Sequence, residues 1–266
     1  MINSKLMIGV MSGTSLDGID IALTEIHRNK VSVIDFYHIN YAKKVKENIL
    51  KLHFPNNNEL ENSHVLSNEL ARLTGKAINR LLKKNNLIPS QIKGVGYHGQ
   101  TVRHKPDKGY SIQIGNADLL AEITHLDIVS NFRNRDIAAK GQGAPLVPAF
   151  HKYLFYSKSK NRVIVNIGGI SNITYLPISG KIVGFDCGPG NILMDHWIKL
   201  NYDLNFDKNG IWAKKGTVID NLLTYFLKDK FFKQKPPKST GRDHFNLEWI
   251  KKGIKKNYSS QDVQRT

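Results

Sequence analysis

The sequence predicts an α/β protein of two lobes, and three observations predict it. Residues 6–10 are apolar, the run breaks at Ser12-Gly13-Thr14-Ser15 and Asp17-Gly18, and apolar character resumes over residues 19–23, which reads as strand, polar turn, strand. The pattern returns over residues 163–174, where a β-branched run gives way to Gly168-Gly169-Ile170-Ser171-Asn172 and then to Ile173-Thr174, an internal echo that supports a duplicated architecture. Between the two, Leu66, Leu70, Leu73, Ala77 and Leu81 fall three and four apart on one helix face, and residues 92–97 form a short apolar run that fits a buried strand after a βαβ crossover.

The remaining elements follow in order. Residues 31–41 alternate well enough to add a third strand to the first hairpin, and the long helix ends near Asn86. His98-Gly99-Gln100-Thr101 is expected just after the buried strand, the usual place for ligands in open α/β sheets. Residues 110–114 are a strand, 117–124 a short helix begun by Asn116, and 127–132 another strand leading into Asn131-Phe132-Arg133-Asn134-Arg135-Asp136. The loop Gly141-Gln142-Gly143 runs into a helix with Pro145 near its first turn. Residues 182–185 lead into Asp186-Cys187-Gly188-Pro189-Gly190-Asn191, then a helix over 192–200 with Asn191 near its start. A turn over 207–216, a helix over 218–227 and the loop 236–242 come next.

Composition narrows the class. The chain has 266 residues, of which 40% are hydrophobic, enough for buried cores. No apolar run reaches the ~18 residues of a membrane span, and the N-terminus lacks an export signal's pattern. The single cysteine, Cys187, cannot form an internal disulfide, so a reducing cytoplasm is expected. A net charge of +17 raises the question of nucleic acid. Ten Lys/Arg between Lys228 and Lys256, against Asp229, Asp243 and Glu248, supply +7 of it without a nucleic-acid-reading motif; solvated lysines are the plainer account.

Several residue groups carry chemistry. Backbone N–H groups and hydroxyls of the first hairpin tip suit a phosphate, with Gly13 and Gly18 expected to allow positive φ; an ordinary closing turn is the alternative. The tip has neither a Walker pattern nor a dinucleotide fingerprint. His98 reads as a ligand residue or a satisfied structural histidine. Arg133, Arg135 and Asp136 suit a carboxylate and sugar hydroxyls by forked hydrogen bonds, or surface ion pairing. Asp186, beside a glycine turn and a helix start, suits proton abstraction or a helix cap. Cys187 lacks the adjacent base a nucleophile needs, which favours passive packing.

Taken as a set, these stretches resemble the anhydro-N-acetylmuramic acid kinase family. The wording SGTSLDGID, HGQT and GQGAPLVPAFH is similar throughout; NFRNRD is similar to the family's SDFRxxD with Asn131 for Asp, FDCGPGN to FDTGPGN with Cys187 for Thr, and PPKSTGRD to PPKSTGRE with Asp243 for Glu. The resemblance implies the sugar kinase/Hsp70/actin-like (ribonuclease H-like) fold, each lobe a mixed sheet flanked by helices, with lobes over 1–136 and 137–266. It implies an ATP-dependent kinase acting with Mg²⁺, in which Gly13, Thr14, Ser15, Leu16, Asp17, Gly18, Ile19 and Asp20 hold the nucleotide. His98, Gln100, Thr101, Arg133 and Asp136 then face the sugar and Asp186 is the base. No residue is assigned as a direct metal ligand. The implied partner is a small amino sugar, not nucleic acid or membrane, with a homodimer left open. The family pattern continues beyond Asp262-Val263-Gln264, so this sequence matches about its first two thirds. That predicts an incomplete second lobe, weaker nucleotide binding than sugar binding and low turnover. A truncated relative that binds sugar or a partner without catalysis, and a basic nucleic-acid-binding protein, are the alternatives.

Overall fold

Residues 5–13, 15–27 and 30–266 are described by the computed structural model, and the chain divides into two units, Met1–Leu146 and Val147–Thr266. In the first, strands β1 (Lys5–Ser12), β2 (Gly18–His27) and β3 (Lys30–Asn40) form an antiparallel meander. Helices α1 (Lys43–Lys51) and α2 (Glu59–Lys84) then carry the chain to β4 (Ile92–Lys105), which lies parallel to β1 with Val10 opposite Tyr97. Next come β5 (Tyr110–Ile114), α3 (Ala117–Thr124), β6 (Ile128–Val129) and α4 (Phe132–Ala138). The sheet order is β3-β2-β1-β4-β5, with β6 on β4, a mixed sheet as expected.

The apolar stripe read from the sequence is the one α2 buries. Leu66, Leu70, Ala77 and Leu81 pack with Ile8, Val10, Ile21 and Leu23 of the sheet in one core. Each of these Leu, Ile and Val side chains contributes about 1.5–3 kcal/mol relative to exposure, so this face is the main term holding helix to sheet. Glu59 and Glu61 in the first turn and Lys83 and Lys84 in the last complement the helix dipole. Asn116 caps α3 as read, its side chain accepting from the Leu119 N–H at 2.9 Å.

Three expectations change. β4 does not end at Tyr97: beyond the reach of β1 it continues and pairs antiparallel with β5, so His98-Gly99-Gln100-Thr101 lies within a strand. Gly99, at φ +69, makes this path feasible, since a Cβ there would sit 2.7 Å from the Ile114 carbonyl oxygen. The strand expected over 127–132 is only two residues long, and Phe132 onward is α4, which puts Arg133 and Asp136 on a helix. Residues 137–146, assigned from sequence to the second lobe, belong to the first unit because Arg133 and Asp136 hold Gly143.

The second unit starts with α5 (Pro148–Phe155), whose first-turn proline is Pro148 rather than Pro145. Strands β7 (Arg162–Ile167), β8 (Ile170–Leu176) and β9 (Val183–Pro189) form an antiparallel sheet in that order. Asp186 is thus inside β9, opposite Asn172, and not at a strand end. Helix α6 (Ile192–Tyr202) follows, then α7 (Asp220–Leu227), α8 (Lys230–Lys233), α9 (Leu247–Gly253) and α10 (Ser260–Arg265). Leu222, Ile250 and Val263 form a small core packed by Trp197, Phe226 and Trp249. Much of the basic 228–256 stretch is organised around aromatic packing, with Phe245 fully buried against Phe231, Phe232 and Trp249. Among the described residues no helix is long and apolar enough to cross a membrane.

One buried side chain joins the first hairpin to the rest of its sheet. Gln100 is 0% exposed; its Oε1 accepts from the Tyr41 hydroxyl at 3.3 Å, and its Nε2 donates to the Gly13 carbonyl at 3.2 Å and the Thr101 carbonyl at 3.3 Å. Gln100→Ala is therefore expected to destabilise the chain by about 1–3 kcal/mol by stranding buried polar groups. Urea unfolding checks this; an unchanged midpoint would show that these bonds add nothing.

Candidate active site

The tip between β1 and β2 is where sequence placed an anion. Ser15 and Asp17 are exposed, and among the described residues their backbone N–H groups have no intramolecular acceptor. A Cβ built on Gly13 would meet only the Ser15 hydroxyl oxygen, at 3.6 Å, so Gly13 is open to close approach. N–H groups without an acceptor among the described residues suit phosphate oxygens. Thr14 lies outside the described residues. Neither Gly13 nor Gly18 has positive φ, contrary to expectation; the left-handed residue is Leu16 at φ 61. Leu16 is buried, its N–H donating to the Gly13 carbonyl at 3.3 Å, so burial of an apolar side chain fixes the turn that glycine was expected to make. Gly18 is needed for space: a Cβ there would lie 1.9 Å from the Ile39 carbonyl oxygen.

The acidic residues of the tip differ in surroundings. Asp17 is exposed, 3.9 Å from the Lys46 ammonium. Asp20 pairs with His38 at 2.7 Å, which raises the His38 pKa above its ordinary value. Ile19 is buried, so it and Leu16 can meet a ligand only through their backbone.

A line of hydrogen bonds runs from this tip across the first unit. The Ser12 hydroxyl donates to the Gly99 carbonyl at 2.9 Å, beside the Gln100 bridge. His98 Nδ1 bonds the Gly99 carbonyl at 2.6 Å, and its Nε2 accepts from Arg133 Nε at 3.0 Å. Burial, and then the Arg133 guanidinium, lower the His98 pKa to about 4, so the ring is neutral with its proton on Nδ1. Arg133 Nη1 donates to the Gly143 carbonyl at 2.6 Å, and the Gly143 N–H donates to Asp136 Oδ2 at 2.7 Å. The Thr101 hydroxyl oxygen accepts from Gln113 at 3.2 Å. His98, Arg133 and Asp136 are thus linked through Gly143 in one network, Thr101 is tied to Gln113 instead, and Gln100 is fully buried and spent on internal bonds.

The second unit centres on Asp186, which is 5% exposed. Its Oδ2 accepts from the Thr240 N–H at 3.0 Å, and its own N–H donates to the Lys238 carbonyl at 3.1 Å. Asn172 Oδ1, on the neighbouring strand, and Thr240 Oγ1 are buried without a hydrogen-bond partner among the described residues. Buried polar atoms are normally paired, so two such atoms beside a carboxylate suit a polar ligand. Neither was read as a site residue; the Ser-Asn of the second hairpin and the Ser-Thr-Gly-Arg stretch were the available signals. Lys238 is also buried, its ammonium donating to the Phe231 carbonyl at 2.9 Å and lying over the Phe231 ring, so it serves the aromatic core. Burial pushes the Cys187 thiol up, against the pull of Lys238 and with the help of Asp186, as passive packing requires.

Comparison with known proteins follows this geometry. A family model described as anhydro-N-acetylmuramic acid kinase matches residues 5–266. The chain is 48% identical to the anhydro-N-acetylmuramic acid kinase of Nitrosomonas europaea over 97% of its own length and 72% of that protein. It is 46% identical to the one of Nitrosospira multiformis over 97% of its own length and 71% of that protein. Among solved structures, the ethanolamine utilization protein EutJ from Carboxydothermus hydrogenoformans is similar at a TM-score of 0.36 and 13% identity, covering 80% of this chain and 61% of that one; a likeness so loose carries no argument.

The neutral His98 yields a pH dependence. Its folded pKa, about 4, lies below the ordinary 6.5, as does that of His196, where burial and then Arg242 lower it to about 4. Below pH 6.5 the unfolded chain takes up protons that the folded chain resists, so stability present above 6.5 is lost as pH falls toward 4. Denaturation midpoints between pH 7 and 4 are expected to fall less steeply for His98→Gln than for the parent. Parallel slopes would contradict the neutral, buried ring.

Proposed function

The chain belongs to the anhydro-N-acetylmuramic acid kinase family, and on that premise we propose how its residues divide the work. The enzyme opens the 1,6-anhydro ring of anhydro-N-acetylmuramic acid and phosphorylates O6, giving N-acetylmuramic acid 6-phosphate. Asp186 takes a proton from water; the water oxygen attacks C1, the C1–O6 bond breaks, and O6 receives the γ-phosphoryl group of the nucleotide. The observation that carries this role is the buried Asp186 carboxylate, oriented by the Thr240 N–H, with Asn172 Oδ1 and Thr240 Oγ1 unsatisfied beside it. A carboxylate fixed by a backbone donor needs no reorganisation before it accepts a proton.

We assign the nucleotide as ATP and its phosphates to the β1–β2 tip, because the open Gly13 and the free N–H groups of Ser15 and Asp17 fit anionic oxygens. Mg²⁺ would neutralise charge on those phosphates, with the exposed Asp17 and Asp20 as the nearest acidic groups and water completing its shell. The sugar side is the surface of His98, Thr101, Arg133 and Asp136, with Gln100 supporting it from beneath. Consumption of ATP and the lone Cys187 argue for the cytoplasm.

Asp186→Asn is expected to leave sugar and nucleotide affinity within about threefold and lower turnover about a hundredfold or more, since losing a base acts on the transition state. Coupled ADP release and calorimetry check the two quantities; turnover near the parent's would remove Asp186 from the mechanism. A Cβ on Gly13 would come no closer than 3.6 Å to the Ser15 hydroxyl, and the Gly13→Val side chain would fill the approach to the tip. It is expected to weaken ATP about tenfold or more while sparing sugar. An equal loss of both ligands in calorimetry would move the phosphates elsewhere.

A further inference from the structure

Arg133 and Asp136 are committed to a loop in the same unit. From the first turn of α4, Arg133 Nη1 donates to the Gly143 carbonyl at 2.6 Å; one turn later Asp136 Oδ2 accepts from the Gly143 N–H at 2.7 Å. Both polar groups of one residue are thus held by two side chains of one helix. The Gly141 N–H adds a bond to the Asp136 carbonyl at 2.9 Å. Contact is so close that a Cβ on Gly141 would lie 2.1 Å from Asp136 Oδ2 and one on Gly143, at φ +69, 3.0 Å from Ile137. Lys140 enters the turn at φ 67. The residue between the two clamped glycines is Gln142. It is half-buried, and its carboxamide makes no hydrogen bond with the described residues.

We propose that Gln142 is a sugar-specificity residue, its carboxamide hydrogen-bonding a neutral polar group of the substrate, and that Arg133 and Asp136 are positioning residues that fix it there. The inference rests on the reading that the sugar lies against this surface. A carboxamide offers two donors and one acceptor without charge, the complement of a hydroxyl or an acetamido group. Its long side chain would ordinarily lose rotamer freedom on binding, and a backbone locked on both sides confines that cost to the side chain itself. His98 extends the clamp: its neutral Nε2 accepts from Arg133 Nε and sets the direction of the guanidinium toward Gly143.

The test uses the full chain, anhydro-N-acetylmuramic acid and ATP, with calorimetry for affinity and steady-state rates for the KM-against-kcat split. Gln142→Ala is expected to raise the sugar KM about tenfold with kcat within about threefold, because a contact made equally in ground and transition states is lost. Asp136→Ala, which frees the loop, should raise the sugar KM to a similar extent. Asp136→Asn, which keeps an acceptor for the Gly143 N–H, should rescue most of that loss. The Asp136→Ala/Gln142→Ala pair should be no worse than Gln142→Ala alone. Unchanged sugar affinity in Gln142→Ala, additive losses in the pair, or Asp136→Asn as damaging as Asp136→Ala would each overturn the inference while leaving the kinase reading intact. A parent chain that neither binds nor phosphorylates the anhydro sugar would overturn the kinase reading, and this inference with it.

Discussion

The buried amide of Gln100 is the constraint on which the first unit depends. A carboxamide removed from water costs about 1–3 kcal/mol for each group left unpaired, so its position selects a backbone that can answer it. Here that backbone is the hairpin tip, through the Gly13 carbonyl, and the end of the meander, through Tyr41. Burial raises the Tyr41 phenol to about 12, which keeps its proton in place as the donor to Gln100. The tip is accordingly held to the strand that carries His98 and Thr101. The proposed phosphate tip and the proposed sugar side of this unit would therefore share one internal strut.

The charge state of His98 is set by its neighbours on that strut. His98 stays neutral because it is buried next to a guanidinium, and the guanidinium can approach because the ring is neutral. Asp136 faces backbone donors from the loop that follows its own helix. In the second unit Asp186 is likewise oriented by a backbone N–H, and buried Lys238 is turned to a carbonyl and an aromatic ring.

How much of this was legible follows from what periodicity can report. The α2 stripe, the two hairpins and the Asn116 cap came directly from spacing and residue type, since each depends on contacts within one element or between neighbours. The extension of β4 through His98 and Gln100 did not, because pairing with β5 is a tertiary event. Leu16 in a left-handed turn escaped because its cost is met by burial, which one residue's identity does not disclose. Family wording implied a sugar-side role for Arg133, Asp136 and Gln100, but it could not show that Gln100 is wholly internal or that the other two grip Gly143. Asn172 and Thr240 needed the β8–β9 register and the return of the 236–242 loop to Asp186.

The central claim is that this chain couples ring opening by water to phosphorylation of O6. Incubating the chain with anhydro-N-acetylmuramic acid and ATP, and reading the product by mass spectrometry and phosphorus-coupled proton NMR, tests it most directly. The predicted product is heavier than the substrate by one phosphoryl group and one water, with phosphorus coupled to the protons on C6. A product carrying the phosphoryl group without the water, or phosphate at another oxygen, would contradict the account.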